Sequence, residues 1–173
     1  SQKAIHALTA LGIRPIMLTG DQAKAADAIA QQIGLPDVIA QVSPQEKYTH
    51  IQAAQKAGHL VGMVGDGLND AAALAQAHVS FAMGGGTDLA SQNADITLMR
   101  NDLMQVVATI WLSRKTLQII RQNLFFAFVY NTLGILLAIF GIFNPTIAGA
   151  AMAMSSLSVV SNSLRLRHQH FDF

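Results

Sequence analysis

Two short motifs rich in glycine and aspartate are the clearest candidates for chemistry in this sequence. Thr19-Gly20-Asp21 follows the apolar run Ile16–Leu18, and Gly65-Asp66-Gly67-Leu68-Asn69-Asp70 follows the apolar run Leu60–Val64. Each apolar run has the length and composition of a buried parallel strand. In an open parallel sheet, ligands bind beyond the carboxyl ends of the strands. The two motifs are therefore predicted to face one crevice.

The residue types in these motifs suit a phosphoryl group and a divalent cation. Glycines such as Gly20 let backbone amides approach a phosphate closely, and the Thr19 hydroxyl can donate to a phosphoryl oxygen. Carboxylates such as Asp66 and Asp70 suit Mg²⁺, a hard cation that prefers oxygen ligands. Lys47, between the motifs, can balance phosphoryl charge. Glycine and aspartate are also common in plain turns, but two motifs at strand ends with a lysine between them favour a site.

Alternating helical and strand patterns indicate the elements that would position these residues. Apolar runs predict strands at Ile16–Leu18, Val38–Ala40, Leu60–Val64, Val79–Met83 and Ile96–Met99. Helical periodicity and capping residues predict helices at Ile5–Leu11, Lys24–Ile33, Pro44–Ala57, Asp70–Gln76 and Thr87–Asn93. Strands that alternate with helices give a parallel sheet covered on both faces. The fold class predicted for this half is an α/β doubly wound parallel sheet.

The character of the sequence changes after about residue 101. Residues 124–164 contain no Asp, Glu, Lys, Arg or His. Two uncharged runs, 124–143 and 146–164, are each about 20 residues long, which is the length that crosses a bilayer. The dipeptide Asn144-Pro145 separates them, so they are predicted to form a transmembrane hairpin. A buried hairpin in a soluble protein is the less favoured interpretation, because this chain cannot supply so large a core.

Charge and composition set the expected boundaries and exclude some functions. Basic residues flank the outer ends of the hairpin and none lies in its turn, which predicts that both ends are cytoplasmic. The net charge of +1 leaves no basic stripe for nucleic acid, and the absence of cysteine excludes a thiolate nucleophile. The sequence opens inside a helical pattern without a start methionine, so we expect a fragment. The expected segments are an α/β part (1–101), a linking helix (102–123), two spans (124–143 and 146–164) and a cytoplasmic tail (165–173).

The ordered set of motifs resembles the haloacid-dehalogenase-like core of P-type ATPases, over residues 1 to about 100. The resemblance implies that Thr19, Gly20 and Lys47 contact the phosphoryl group. It implies that Asp21 belongs to the loop that governs dephosphorylation, and that Asp66 ligates Mg²⁺. Asn69 and Asp70 would complete the site, with Asp70 holding either Lys47 or a metal-bound water. The implied catalytic set is Thr19, Gly20, Asp21, Lys47, Asn69 and Asp70, with Mg²⁺ at Asp66 and Asp70.

One departure from the family pattern limits what this chain can do alone. The nucleophile of the family is an aspartate in an Asp-Lys-Thr-Gly-Thr motif, and no aspartate here is followed by Lys-Thr-Gly. The nucleotide-binding domain of the family is missing as well. The chain is therefore predicted to hold the supporting half of an ATP- and Mg²⁺-dependent site, and to be inactive in isolation.

Polar side chains in the two uncharged runs suggest which ion is carried, because polar groups inside a membrane are costly and usually functional. Tyr130 and Asn131 lie in the first run, and Met152 and Ser156 share a helix face in the second. Met154 points roughly the opposite way from Met152. A thioether, an amide oxygen and a phenol suit Cu(I) better than Zn²⁺ or Ca²⁺, whose sites include carboxylates.

The Tyr-Asn pair and the Met-x-x-Ser-Ser pattern resemble the last two spans of copper-exporting P-type ATPases. The resemblance implies ATP-driven export of Cu(I) through an aspartyl-phosphate intermediate, by a multi-pass protein of the cell membrane. Its implied partners are membrane lipid, the preceding part of the same pump and a copper chaperone. Two alternatives stay open: a zinc- or cadmium-type pump, which typically places a Lys and an Asp in these spans, and a membrane-anchored phosphatase of the same fold.

Overall fold

A computed structural model describes residues 1–66, 68–84, 94–141 and 145–168. The chain divides into two compact units, Ser1–Ala108 and Thr109–Phe173. Four sequence-based predictions fall outside the described residues in whole or in part. They are the role of Gly67, the helix Thr87–Asn93, the turn around Asn144 and the end of the tail.

The first unit alternates helices with parallel strands, as predicted. Its helices are α1 (Gln2–Ala10), α2 (Ala23–Ile33), α3 (Pro44–Lys56) and α4 (Ala71–Gln76). Its strands are β1 (Ile16–Leu18), β2 (Asp37–Ile39), β3 (Gly62–Gly65), β4 (Val79–Ala82) and β5 (Ile96–Thr97). A short 3₁₀ turn, Leu68–Asp70, precedes α4.

All described strand pairs are parallel, but they form two sheets rather than one. In one sheet β1 pairs with β2, with Met17 opposite Val38. In the other sheet the order is β3-β4-β5, with Val64 opposite Phe81. The predicted parallel pairing is confirmed, and the described strands divide between two sheets. Four described strands, β1, β2, β3 and β5, each have one edge without a described partner.

Each sheet has its own small apolar core. In the first, buried Ile5, Ala30 and Leu35 pack with partly buried Met17 and Val38, which joins α1 and α2 to β1 and β2. In the second, buried Leu74 and Ala82 pack with Met63 and Ala94. The helices thus cover the strands with their apolar faces and leave the carboxyl ends of the strands to the loops.

Glycine and proline end or begin helices where the sequence indicates. Gly34 closes α2 in the left-handed conformation at φ 71°, a backbone region that glycine enters without a steric penalty. Pro44 occupies the first turn of α3, where a missing N–H costs nothing. One strand boundary was predicted wrongly: β3 begins at Gly62 and not at Leu60, which is 88% exposed.

The second unit is a helical hairpin. A single helix, α5, runs from Met104 to Ile139, so the predicted linking helix and first span are continuous. The second predicted span forms α6, Pro145–Leu164, followed by a 3₁₀ turn at Arg165–His168. Among the described residues, α5 is the one helix long and apolar enough to cross a membrane, with a mean hydropathy of 1.5 in its most apolar stretch.

Small and polar residues line the side of α6 that meets α5. Ala151, Ser155 and Ser158 are half-buried and Asn162 is buried, at spacings of four, three and four residues that keep them on one face. Most apolar side chains of the hairpin are exposed, Met152 by 73%. The outer surface of the hairpin is therefore apolar and its inner seam is polar, the reverse of a soluble helical pair.

Candidate functional site

The first candidate loop follows β1 and is held by its own side chains. The Thr19 hydroxyl donates to Asp21 Oδ2 at 3.0 Å, and the Asp21 backbone N–H donates to Thr19 Oγ1 at 3.1 Å. Gly20 and Asp21 are exposed, and Thr19 is half-buried. This small hydrogen-bonded turn leaves the carboxylate and the backbone around Gly20 accessible at the end of a strand.

The chain after β2 braces this loop from the side. The Thr19 N–H donates to Ile39 O, and the Val42 N–H donates back to Thr19 O, both at 3.0 Å. The Gln41 N–H donates to Asp21 O at 3.0 Å. Gln41 adopts a left-handed φ of 58°, which is uncommon for a residue with a side chain and turns the backbone toward the loop. The Thr19 loop is thereby fixed to the start of α3.

Helix α3 begins with a reciprocal capping box. Ser43 Oγ accepts from the Glu46 N–H, and Glu46 Oε2 accepts from the Ser43 N–H at 2.7 Å. This arrangement satisfies two backbone donors at the helix start. The hydrogen bond from the Ser43 backbone is the main reason that the pKa of Glu46 is lowered. The box fixes the first turn of α3, and Lys47 is the next residue.

Lys47 reaches the second candidate loop. Its Nζ donates to Asp70 Oδ1 at 2.8 Å, and the two side chains are only 14% and 10% exposed. The pair lies at the end of β3, where a Cβ on Gly65 would come within 2.8 Å of Asp70 Cβ. Only glycine fits there without displacing Asp70. A shielded ion pair thus lies at the end of β3. Helix α3, which carries Lys47, connects it to the Thr19 loop at the end of β1.

The structure connects the two loops indirectly. Among the described hydrogen bonds, none joins Thr19 or Asp21 to Asp66, Asn69 or Asp70. The connection runs through the segment from Val42 to Lys47, which contacts Thr19 at one end and Asp70 at the other. Sequence reasoning predicted one crevice with Lys47 between the loops, and the structure joins Lys47 to Asp70 of the second loop.

Asp66 and Asn69 are exposed beside this ion pair. The described residues contain no cluster of three or more His, Cys, Asp or Glu side chains that could enclose a metal. Mg²⁺ usually keeps several waters and needs only one or two protein carboxylates, so Asp66 fits as a ligand. Asp70 fits less directly, because its Oδ1 is already bound to Lys47.

The candidate ion ligands in the hairpin are not brought together. Tyr130 OH lies 3.4 Å from Ser158 Oγ, one of the residues on the inner seam. Asn131, Met152 and Ser156 are exposed on the outside. The expectation that the face of Met152 and Ser156 meets Tyr130 and Asn131 is not what the hairpin shows. A site that uses all four would need further groups from outside the hairpin.

Sequence reasoning missed several residues that shape these sites. Gly65 was treated only as a phosphate-loop glycine, whereas its close approach to Asp70 requires it. Glu46 was missed although Ser-x-x-Glu is a recognisable capping-box signal. Val42 and Gln41 left no signal, because their contribution is made by backbone hydrogen bonds.

Comparison with known proteins first defines the class. A family model described as haloacid dehalogenase-like hydrolase matches residues 1–78. This agrees with parallel strands whose carboxyl ends carry the two loops. The predicted fold class, a partial haloacid-dehalogenase-like α/β fold followed by a helical hairpin, is confirmed.

Individual relatives then point to one group within this class, the copper-transporting P-type ATPases. The chain is 51% identical over 171 residues to a probable copper-importing P-type ATPase A of Enterococcus hirae, covering 98% of this chain and 24% of that protein. It is 49% identical to a copper-exporting P-type ATPase of Vibrio cholerae, covering 100% of this chain and 20% of that protein. The chain thus spans about a quarter or less of the relatives that it matches.

A solved structure agrees with both units. The crystal structure of a zinc-transporting PIB-type ATPase matches with a TM-score of 0.86 and 36% identity, covering 95% of this chain and 27% of that one. Because the match extends over nearly the whole chain, it includes the helical hairpin as well as the α/β unit. The chain is therefore similar over nearly its whole length to copper- and zinc-transporting P-type ATPases, which confirms the resemblance predicted from the sequence.

Proposed function

We propose that this chain is the C-terminal part of a P-type ATPase that exports Cu(I) across the cell membrane at the expense of ATP. The observation that carries the proposal is the pairing of Lys47 with Asp70, in a chain about half identical to copper pumps along its length. Export, as opposed to import, is proposed in addition to copper transport, since one similar protein is named a copper importer and another a copper exporter.

The α/β unit supplies the supporting half of an aspartyl-phosphate site. The Thr19 hydroxyl and the backbone at Gly20 would bind phosphoryl oxygens, and Lys47 would balance their charge. Asp70 holds the Lys47 ammonium in place, and Asp21 orients the Thr19 hydroxyl through their 3.0 Å contact. Asp66, with Asn69 beside it, would hold Mg²⁺, which when bound neutralises charge on the transferred phosphoryl group.

The aspartate that becomes phosphorylated would come from outside this chain. β1 and β3 each have an edge without a described partner, and the candidate loops follow these two strands. A strand placed between them would end beside Thr19 and Lys47, where a nucleophile is required. We propose that the Asp-Lys-Thr-Gly-Thr strand of the pump fills this gap, which would join the two sheets into one.

Copper is favoured over zinc by the chemistry of the hairpin. No carboxylate lies anywhere between residues 124 and 164, so the hairpin offers only neutral ligands. Met152 and Asn131 present a thioether and an amide on its exposed surface, open to ligands from other spans. Soft neutral ligands of this kind select Cu(I). The zinc-type pump remains the second candidate, because the fold also matches a zinc-transporting structure.

The proposed setting is a multi-pass protein with both ends of the hairpin in the cytoplasm. Arg121 precedes the first uncharged run, and Arg165 and Arg167 follow the second. Cationic residues at both outer ends support a cytoplasmic position for those ends. Membrane lipid, the preceding part of the pump and a copper chaperone are the proposed partners.

The test is metal-stimulated ATPase activity of the full-length pump with Cu(I), Zn²⁺ and Cd²⁺. Met152→Ala should reduce Cu(I) stimulation about tenfold or more, because a soft ligand is lost. Met154→Ala is the matched control, since both methionines are exposed, by 73% and 60%, and neither packs in the hairpin. Equal stimulation of the unmodified pump by zinc, or greater sensitivity at Met154, would refute the copper assignment.

A further inference from the structure

The most buried side chain of the hairpin unit is polar. Among the described residues from 109 to 168, Asn162 alone is buried, at 9% exposure. The apolar side chains around it, such as Leu164 and Val160, are more than half exposed. The amide of Asn162 is therefore the best-enclosed described group where α5 meets α6.

Three hydrogen bonds link Asn162 and its neighbour Ser163 on α6 to side chains of α5. Asn162 Nδ2 donates to Asn123 Oδ1 at 2.9 Å and to Gln122 Oε1 at 3.2 Å. Asn123 Nδ2 in turn donates to Ser163 Oγ at 2.9 Å. We call these four residues, Gln122, Asn123, Asn162 and Ser163, the amide clamp.

The clamp specifies one register between the helices. A slip of one helical turn moves a residue about 5.4 Å along the axis, which would break all three bonds together. Because Asn162 is itself buried, a slipped register would leave its amide shielded and without these partners, which disfavours the slip. Deeper in the hairpin, seven residues along α5 and five along α6, Tyr130 OH and Ser158 Oγ form a second polar contact between the helices.

This register fixes the depth of the candidate ion ligands. Since Tyr130 lies level with Ser158 in an antiparallel pair, Asn131 lies within about one residue of the level of Ser156, and Met152 lies about one turn beyond Ser156. These three side chains are exposed and have no packing of their own in the hairpin to hold them at that depth. Whatever sets the register of α5 and α6 therefore sets the spacing of the ligands.

We propose that Asn162 is a positioning residue of the transport site, which acts through the amide clamp to hold Asn131, Met152 and Ser156 at fixed relative depth. The inference rests on the proposed function for the role of those three residues. The clamp itself stands on the hydrogen bonds alone.

The clamp can be tested on this chain directly, because the chain contains no cysteine and can be spin-labelled at chosen sites. Labels at Phe128→Cys and Leu157→Cys lie on exposed positions of the two helices, 64% and 68% exposed. In lipid nanodiscs, pulsed electron resonance should give one narrow distance distribution. Asn162→Leu should broaden or shift it, and Asn162→Gln, which keeps the donor group, should restore most of it. Ser161→Ala, an exposed neighbour outside the clamp, should leave it unchanged. An unaltered distribution in Asn162→Leu would overturn the clamp.

The positioning role is tested in the full-length pump by separating affinity from turnover. Asn162→Leu should raise the Cu(I) concentration for half-maximal ATPase activity about threefold to tenfold, the range expected for one interhelical hydrogen-bond set. The maximal rate should stay within about twofold, because the phosphorylation site is untouched. A lowered maximal rate with unchanged half-maximal Cu(I) would mean a purely structural role and overturn the inference. If Cu(I) fails to stimulate even the unmodified pump, the proposed function fails, and the distance measurement still decides the clamp.

Discussion

Gly65 is a position where the absence of a side chain shapes the candidate site. A Cβ there would lie 2.8 Å from Asp70 Cβ and 3.0 Å from Asp70 Oδ2. The Asp70 side chain cannot easily move away, because it is held by Lys47 and is 10% exposed. The glycine of the loop is therefore needed for close packing within the protein, in addition to any approach to phosphate.

Gly65→Ala should lower the free energy of unfolding by about 1–3 kcal/mol, the range for overpacking an enclosed position. Gly62→Ala is the matched control on the same strand, because its nearest contact would be Val79 O at an ordinary 3.7 Å. Thermal unfolding of the detergent-solubilised chain measures both. Equal stability of the two variants would contradict the crowding at Asp70.

Lys47 and Asp70 form the one described ion pair with both side chains largely shielded from solvent. Lys47→Met should cost about 3 kcal/mol of stability, because it leaves an unpaired carboxylate in a shielded position. Lys47→Met combined with Asp70→Asn should recover a large part of the loss, since the uncompensated charge is gone.

Lys56→Met is the control for Lys47. Lys56 lies at the other end of α3 and donates to Gln52 Oε1 at 3.1 Å on an exposed surface. Its loss should change stability by about 0.5 kcal/mol or less. A double-mutant cycle in denaturant gives the coupling, and additive effects of Lys47 and Asp70 would show that the contact is not a stabilising pair.

At the scale of elements, the side chain of Asp95 adds hydrogen bonds to the strand pairing of β4 with β5. Asp95 Oδ2 accepts from the Ser80 N–H at 2.9 Å and from the Ser80 hydroxyl at 2.8 Å. These two bonds, the hydroxyl first, lower the pKa of Asp95. Because the pKa is lower in the folded chain than in the unfolded chain, Asp95 stabilises the fold at pH values above its unfolded pKa.

This stabilisation should be lost as the pH falls below about 4, through the lowered folded pKa of Asp95. Asp95→Asn cannot titrate, so the loss of stability on acidification should be smaller in that variant than in the unmodified chain. Melting temperatures between pH 7 and pH 2.5 measure the difference. Parallel curves for the two proteins would show that Asp95 does not contribute to acid sensitivity.

Local sequence signals predicted the individual helices and strands well. They did not predict which distant strands pair with each other. β1 and the end of α2 followed from an apolar run and from Gly34. The division into two sheets could not be predicted, because strand pairing depends on partners far away in the sequence. The facing side of α6 was also missed. An uncharged helix that is apolar almost all round has no strong amphipathic direction, so periodicity could not show that Ser155 and Ser158, and not Ser156, face α5.

In the candidate site, too, some features could be predicted from the sequence and others could not. Lys47 between the two loops was predicted from its position, since the first turn of a helix after a parallel strand lies near the loops. The bracing of Thr19 by Val42 was not predicted, because a backbone N–H and carbonyl are present at every residue and leave no signature in the sequence. The side chains of the site can thus be read from types and spacing, whereas the backbone that holds them needs the structure.

At the scale of the whole molecule, the two units carry net charges of opposite sign. Residues 1–108 carry nine acidic and six basic side chains, and residues 109–173 carry one acidic and five basic side chains. The overall charge of +1 conceals this asymmetry. A cationic hairpin joined to an anionic α/β unit suits a protein with one part at an anionic membrane surface and the other in solution.

The gap between β1 and β3 gives the last prediction. Strand amides that face an unpaired edge exchange with solvent deuterium quickly, whereas amides bonded to a neighbouring strand are protected. In this chain alone, peptides that cover Ile16–Leu18 and Gly62–Gly65 should therefore exchange faster than the peptide that covers β4. β4 is the internal control, because it has β3 on one side and β5 on the other. In the full-length pump a strand between β1 and β3 would protect both edges, so the slow-exchanging fraction of those two peptides should rise while β4 changes little. Hydrogen–deuterium exchange read by mass spectrometry measures all three peptides in one experiment. If β1 and β3 exchange as slowly as β4 in the chain alone, or gain no protection in the pump, the nucleophile-bearing strand does not occupy this gap.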